Sequence, residues 1–201
     1  MINKSISKKL IIVISSPSGA GKSSICKRLL EDDSGLCMSI SDTTRLPRDN
    51  EINGRDYNFI SKEKFETRIN KNEYIEHAHV FGNYYGSLDE GVSSALEKNF
   101  DVLFDIDWQG ALQLKSSNYP NILTIFIIPP SKEAIYKRLK SRAEISGDNK
   151  QAINDRMGMY ETEMSHKDEY QYIIVNNDFD KCILKIKKVI KEARDKLNSW
   201  S

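Results

Sequence analysis

Eight consecutive residues, Ser16-Pro-Ser-Gly-Ala-Gly-Lys-Ser23, carry the strongest chemistry in the chain. Two glycines let backbone N–H groups turn inward toward an anion, and the run ends in Gly-Lys-Ser, the pattern of a loop that wraps phosphate. Lys22 suits the β- and γ-phosphates of a nucleoside triphosphate, and the Ser23 hydroxyl suits Mg2+. Ser16 stands where an opening glycine is usual, and it is small. The loop names the donor class and leaves the acceptor open. A second basic site is the stretch Ser39 to Arg48, which sets Arg45 and Arg48 three residues apart around Pro47. Guanidinium forks bind phosphate oxygens bidentately. Tyr57 and the pair Tyr84-Tyr85 add phenolic donors, and the set would suit a terminal monophosphate. Taken alone, the arginine pair is equally that of a solvated loop.

A phosphate loop needs a buried strand before it and a helix after it, whose positive end faces the anion. Leu10 to Ile14 is a continuous apolar run rich in β-branched residues, the signature of a strand covered on both faces. Lys22 to Leu30 reads as the helix, with Ile25, Leu29 and Leu30 as its stripe. Further strands are predicted at Val102–Ile106, Ile122–Ile128 and Tyr172–Val175, with Ser131 capping the helix after Pro129-Pro130. Ile183, Ile186, Ile190, Ala193 and Leu197 predict an amphipathic closing helix over 180–197. Strands alternating with helices imply an α/β fold with a parallel sheet wrapped on both faces. The stretch 39–87 is more polar and aromatic, with turns at Asn53-Gly54 and Gly82-Asn83, and reads as a small strand-rich insert. Ala143 to Lys150 has the composition of a mobile loop between two arginine-bearing helices.

The 201 residues suggest one domain with a small insert. Thirty basic against 29 acidic residues leave a net charge of +1, which argues against a general nucleic-acid binder. The longest apolar run, five residues, is far short of the roughly 20 needed to span a membrane and too short for a signal peptide. Cys26, Cys37 and Cys182 show no paired spacing, so neither a disulfide framework nor a thiolate metal site is expected, and a reducing cytoplasm fits. A homo-oligomer is compatible with the sequence.

Taken together, the segments resemble guanylate kinase. Ser16 through Ser24, Ser41-Asp-Thr-Thr-Arg-Leu-Pro-Arg48, Asn53-Gly-Arg-Asp-Tyr-Asn-Phe59, Gly82-Asn-Tyr-Tyr-Gly-Ser87, Asp105-Ile-Asp-Trp-Gln-Gly110, Arg138-Leu-Lys-Ser-Arg142 and Ile174-Val-Asn-Asn-Asp178 recur in that family in this order. The stretch Glu163 to Tyr170 is of bacterial type, and the resemblance covers about residues 10–195. It implies ATP + GMP giving ADP + GDP, on a P-loop NTPase-type parallel sheet with a nucleotide-binding insert and a helical lid. The division implied is a core of 1–38, 88–137 and 157–201, a GMP-binding insert of 39–87 and a lid of 138–156.

Residue by residue, the resemblance implies donor-nucleotide contacts from Ser16, Pro17, Ser18, Gly19, Ala20, Gly21, Lys22, Ser23, Ser24 and Asn176. Acceptor phosphate falls to Arg45, Arg48, Tyr57 and Tyr85, and guanine to Ser41, Glu76, Ser87 and Asp107. Mg2+ falls to Ser23 and Asp105, and charge on the transferring group to the lid arginines Arg138, Arg142 and Arg156, which join Lys22 on the donor phosphates and Arg45 on the acceptor phosphate as the catalytic set. The chemistry agrees: guanine offers N1–H and N2–H2 side by side to one carboxylate, which adenine would leave unpaired. Transfer needs alignment and charge neutralisation rather than a general base. Three positions depart from the family. Asp42 stands where a second serine is common and adds negative charge near the acceptor phosphate unless it points away. Ala143 replaces a common glycine, and the lid between Arg142 and Arg156 is a few residues longer than in bacterial forms.

Plainer readings stand beside these. His77 and His79 alternate on a strand without a third ligand nearby and are expected to be structural. Asp105 and Asp107 share one strand face, and His166 caps a helix or faces solvent. Trp108 and Trp200 pack, Cys26 is core, and Lys185, Lys187, Lys188 and Lys191 form a solvated face. Two other functions stay open: a binding module on the same fold, and a kinase for a different small acceptor.

Overall fold

A computed structural model describes residues 8–146 and 150–199. In chain order the elements are β1 (Ile11–Ser15), α1 (Lys22–Asp32), β2 (Leu36–Met38), β3 (Asp42–Thr43), β4 (Asn58–Phe59), α2 (Lys62–Asn70), β5 (Tyr74–Val80), β6 (Asn83–Leu88) and α3 (Asp89–Glu97). Then come β7 (Asp101–Asp105), α4 (Trp108–Lys115), β8 (Ile122–Ile128), α5 (Lys132–Ser146), α6 (Lys150–Gly158), α7 (Tyr160–Ser165), a single 3-10 turn (Lys167–Glu169), β9 (Tyr172–Val175) and α8 (Phe179–Ser199).

Five strands pair in the order β2-β7-β1-β8-β9, and every pairing is parallel. All five β1 residues are buried, because side chains alternate between two covered faces. Ile12 and Ile14 pack with Ile25 and Leu29 of α1 and Ile183, Ile186 and Ile190 of α8. Ile11 and Val13 point the other way, into a cluster with Val92 and Leu96 of α3 and Ala111 and Leu114 of α4. Burying an aliphatic side chain of this size contributes about 1.5–3 kcal/mol. Ala193 and Leu197 complete the α8 stripe at the edge of the first cluster. The strand read as Val102–Ile106 begins and ends one residue earlier, at Asp101 and Asp105. Asp101 belongs to the sheet because its buried carboxylate accepts from the Leu10 amide at 2.7 Å and from Arg194 Nε at 2.6 Å. Ser131 caps α5, its hydroxyl accepting from the Ala134 amide at 3.2 Å.

The insert is a second sheet, β4-β3-β6-β5, in which β3–β4 is parallel and the other pairs are antiparallel. It also holds α2, which carries no apolar periodicity to announce it. Phe65 anchors that helix: it is fully buried, stacked on Tyr74 at 4.5 Å and Tyr84 at 5.3 Å between ring centres. Asp42 is fully buried in the same interface. Its carboxylate accepts from Arg68 Nη1, from Tyr74 Oη at 2.7 Å and from Asn58 Nδ2 at 3.0 Å. The charge that could have opposed an acceptor phosphate is therefore engaged inside the insert. Removing one member of a buried ion pair costs about 3 kcal/mol. Asp42→Ala should therefore lower the thermal midpoint by roughly 6–12 °C in a scanning measurement; an unchanged midpoint would refute that anchoring.

The second loop differs from its reading. Ala143 to Ser146 continue α5 as helix and Lys150 opens α6; residues 147–149 lie outside the described residues. Ala143 packs on Ile135, Leu139 and Ile153, a contact a glycine would lack, and alanine favours helix over glycine by about 1 kcal/mol. Arg138 and Arg142 thus share one continuous helix. Trp200 also lies outside the described residues.

Candidate active site

The donor loop runs from the buried end of β1 to the start of α1. Gly19 and Gly21 take φ of +86° and +98°, where an L side chain is strained, and a Cβ on Gly21 would come within 3.0 Å of Asn176 Nδ2. No side chain caps α1, so the positive end of that helix is left to the loop. Two braces hold the turn from behind: the Ala20 carbonyl accepts from Asn176 Nδ2 at 2.9 Å and from Arg138 Nη1 at 3.0 Å. Arg138 Nη2 also reaches the Asn176 carbonyl at 3.4 Å. Asn176 and Arg138 therefore contact the loop backbone itself.

Lys22 Nζ lies 2.6 Å from Asp105 Oδ1 and donates to the Ile106 carbonyl at 3.0 Å. Burial works against the ammonium, but Asp105 outweighs it and lifts the pKa above the ordinary lysine value. Ser23 Oγ donates to Asp105 Oδ2 at 2.7 Å. One hydroxyl and one carboxylate, both hard oxygens beside a phosphate loop, fit Mg2+, which commonly takes one or two protein oxygens and completes its shell with phosphate and water.

In the insert, Arg45 and Arg48 converge on Glu51. Its Oε1 accepts from Arg45 Nη2 at 2.8 Å and Arg48 Nη1 at 3.3 Å, and its Oε2 from the Arg48 amide at 2.8 Å. Arg45 also donates to the Leu46 carbonyl at 2.7 Å and lies 5.4 Å from the centre of the Tyr57 ring. Tyr57 and Tyr85 meet edge to face at 5.9 Å. Burial first, and then the charge of Asp105, push the Tyr57 hydroxyl up to about 12, so it remains a donor at neutral pH. Glu51 was missed in the sequence; its spacing from both arginines was the available signal.

A third polar group is formed by Ser41, Ser87, Glu76 and Asp107. Ser41 Oγ and Ser87 Oγ are 3.0 Å apart, brought together where β3 begins and β6 ends. Glu76, on β5, is 3% exposed, and its Oε1 has no hydrogen-bond partner. Burial pushes its carboxyl up to about 7; Ser87 opposes the shift and Asp107 adds to it. The other oxygen lies so close to Gly110 that a Cβ there would collide with it. Asp107 does not share the strand face of Asp105, because β7 ends first. It is instead the N-cap of α4, accepting from the Gln109 and Gly110 amides at 3.0 and 3.2 Å and from Gln109 Nε2 at 2.9 Å. Gln113 ties α4 to the insert through the His77 amide at 3.0 Å and carbonyl at 2.7 Å.

Helix α6 reaches the phosphate loop through Arg156, whose Nη1 donates to Ser18 Oγ at 3.1 Å while its guanidinium lies 5.0 Å from the centre of the Phe81 ring. The Arg142 side chain lies outside the described residues. Glu163, on α7, accepts from the Ser18 amide at 3.1 Å, a contact 145 residues apart that no local pattern could signal. His166 caps a helix, as expected: it closes α7, its amide donating to the Glu163 carbonyl at 3.4 Å, while its ring stacks on Trp108, 3.7 Å away and 7° from parallel, and its Nδ1 pairs with Glu169 at 2.7 Å. His77 and His79 join no cluster of three metal-ligating side chains among the described residues. Cys26 is buried. Lys185, Lys188 and Lys191 are exposed, whereas the half-buried Lys187 pairs with Asp32 at 3.2 Å. No helix among the described residues is long and apolar enough to cross a membrane.

Comparison with known proteins agrees with this geometry. The family model for guanylate kinase matches residues 8–193. A guanylate kinase of Rickettsia bellii is 48% identical over 95% of this chain and 98% of its own, and one of Rickettsia conorii is 47% identical over 94% and 81%. The crystal structure of guanylate kinase from Anaplasma phagocytophilum superposes with a TM-score of 0.76 at 33% identity, covering 92% of this chain and 86% of that one. The SH3-kinase fragment of tight junction protein 3 shares the fold alone, with a TM-score of 0.52 at 13% identity over 96% of this chain and 61% of that one. A phosphate loop, an arginine pair held on Glu51 and a match along nearly the whole length put this chain in the guanylate kinase family.

Proposed function

We propose that the chain transfers the γ-phosphate of ATP to GMP, giving ADP and GDP, in a reducing cytoplasm that suits its free cysteines. The observation that carries the reading is the Glu76 carboxylate, buried with one oxygen unpaired. A buried acceptor of this kind costs free energy until a ligand supplies donors, and guanine supplies two side by side. Ser41 would donate to the guanine O6, with Ser87 and Asp107 completing the pocket.

In this reading Lys22 and the loop amides hold the donor phosphates, and Arg45, Arg48, Tyr57 and Tyr85 hold the acceptor phosphate in line. Ser23 and Asp105 would hold Mg2+, which supplies charge neutralisation on the β- and γ-phosphate oxygens when bound. Arg138, Arg142 and Arg156 offset charge on the transferring group, and Asn176 keeps the donor loop in shape. Residues 1–38, 88–137 and 157–201 form the core, 39–87 the GMP-binding insert and 138–156 the lid that excludes water. A binding module would have no use for the Lys22–Asp105–Ser23 arrangement. An ADP-release assay with MgATP against GMP, AMP, UMP and shikimate tests the reading. GMP should be the preferred acceptor by on the order of 100-fold or more; folded protein that releases no ADP with GMP would overturn it.

A further inference from the structure

We propose that Glu163 is a positioning residue for phosphoryl transfer, which sets the shape of the donor loop from the lid side through Ser18. The proposal deepens the kinase reading above and rests on it.

Ser18 is clasped twice from the same direction. Its amide donates to Glu163 Oε2 at 3.1 Å, and its hydroxyl accepts from Arg156 Nη1 at 3.1 Å. Arg156 is on α6 and Glu163 on the next helix, α7, so one short helical segment grips both polar groups of a single loop residue. Glu163 is 8% exposed. Carboxylates are seldom buried to that degree without a defined partner. Ser18 immediately precedes Gly19, the first left-handed residue of the loop. Fixing the Ser18 peptide therefore fixes the direction in which the following amides point, and amide direction is what the donor phosphates read.

A carboxylate beside an anion-binding loop has two opposite readings. A plug would compete with the nucleotide; a brace would assist it. The geometry points to the brace. Glu163 bonds the Ser18 amide, at the entry of the loop, and leaves the uncapped N-terminus of α1 to the ligand. Arg156 reaches the same residue, so the negative charge stands next to a positive one that approaches with the lid. The charged groups facing Glu163 are Lys22 at the start of α1, Asp107 at the start of α4 and Arg156 on α6. Burial pushes its carboxyl up to about 7, with the Ser18 amide, Lys22 and Arg156 pulling it down and Asp107 adding to the rise. Protonation would weaken Glu163 as an acceptor for the Ser18 amide, since an ionised acceptor makes the stronger bond.

The test compares the parent protein with Glu163→Ala and Glu163→Gln, by amide hydrogen exchange over residues 16–21 without nucleotide and by steady-state kinetics from pH 6 to 8. Glu163→Ala should speed exchange at Ser18 and its neighbours on the order of tenfold and lower kcat/KM for MgATP on a similar scale, with KM for GMP within about twofold. Glu163→Gln keeps an acceptor and should restore most of the protection and of kcat/KM. The parent profile should fall as pH drops through about 7 relative to that of Glu163→Gln, because only the parent can protonate there. Wild-type exchange and kinetics in Glu163→Ala would overturn the proposal. So would tighter MgATP binding in that variant, the mark of a plug, or failure of glutamine to rescue a folded protein. Loss of activity in the parent would sink the kinase reading instead, while the exchange comparison would still decide the brace.

Discussion

Lys22→Ala is expected to lower kcat on the order of 100- to 1000-fold while GMP affinity stays within about twofold of the parent protein. The separation follows from where the charges sit. The Lys22 ammonium lies on the donor side, against Asp105 at 2.6 Å and the Ile106 carbonyl at 3.0 Å. Arg45 and Arg48, the proposed acceptor grip, are held by Glu51 instead, at 2.8 and 3.3 Å, and need nothing from Lys22 to keep their arrangement. In the proposed reading, removing the ammonium deletes a preorganised positive charge for the donor phosphates, an effect concentrated in the transition state. It also leaves Asp105 with Ser23 alone, so the thermal midpoint should be recorded beside kcat to separate lost catalysis from lost folding. Equilibrium dialysis with GMP supplies the other arm. A collapse of GMP affinity in the folded variant would show that Lys22 had been given the wrong role.

Glu76→Gln should carry the second large effect, this time on base preference. A glutamine presents one acceptor and one donor where guanine needs two acceptors, so one of two paired contacts becomes a clash of donors. A good bidentate base contact is worth roughly 1–3 kcal/mol, so kcat/KM for GMP should fall roughly 10- to 100-fold and the GMP-over-AMP ratio with it. The pH dependence has a definite sign. Burial holds the Glu76 carboxyl near 7 in the free protein, and only the ionised form accepts both guanine donors. GMP should therefore bind more tightly as pH rises through 7, on the order of tenfold between pH 6 and 8, beyond whatever the GMP phosphate contributes. Glu76→Gln has no such component, so the difference between the two affinity profiles isolates it. Selectivity unchanged in the variant would remove Glu76 from the guanine contacts.

Legibility in the sequence followed the range of the interactions. Leu10 to Ile14 and the closing stripe from Ile183 to Leu197 could be read because burial on a sheet or helix face repeats with the period of the element itself. Helix α2 could not, because a lone buried aromatic, Phe65, makes no period. Ala143 to Ser146 read as loop on composition, yet packing of Ala143 on the Ile135–Leu139–Ile153 cluster extends α5 through them. Asp107 looked like a strand partner of Asp105, and only the early end of β7 turned it into a helix cap. Asp42 read as an intruding charge because its partners Asn58, Arg68 and Tyr74 come from three separate elements.

By itself, the order of residues determined the donor loop, the strand and helix that flank it, and the arginine pair, since backbone conformation and local periodicity act over a few positions. The tertiary structure decided which groups those residues meet. Glu51 holding Arg45 and Arg48 together, the Glu76 carboxylate pressed against Gly110, and Ser18 gripped by Arg156 and Glu163 all depend on chain segments meeting in space. Side-chain charge and hydrogen bonding act over a few ångströms whatever the separation along the chain, and no reading of neighbours in sequence contains that distance.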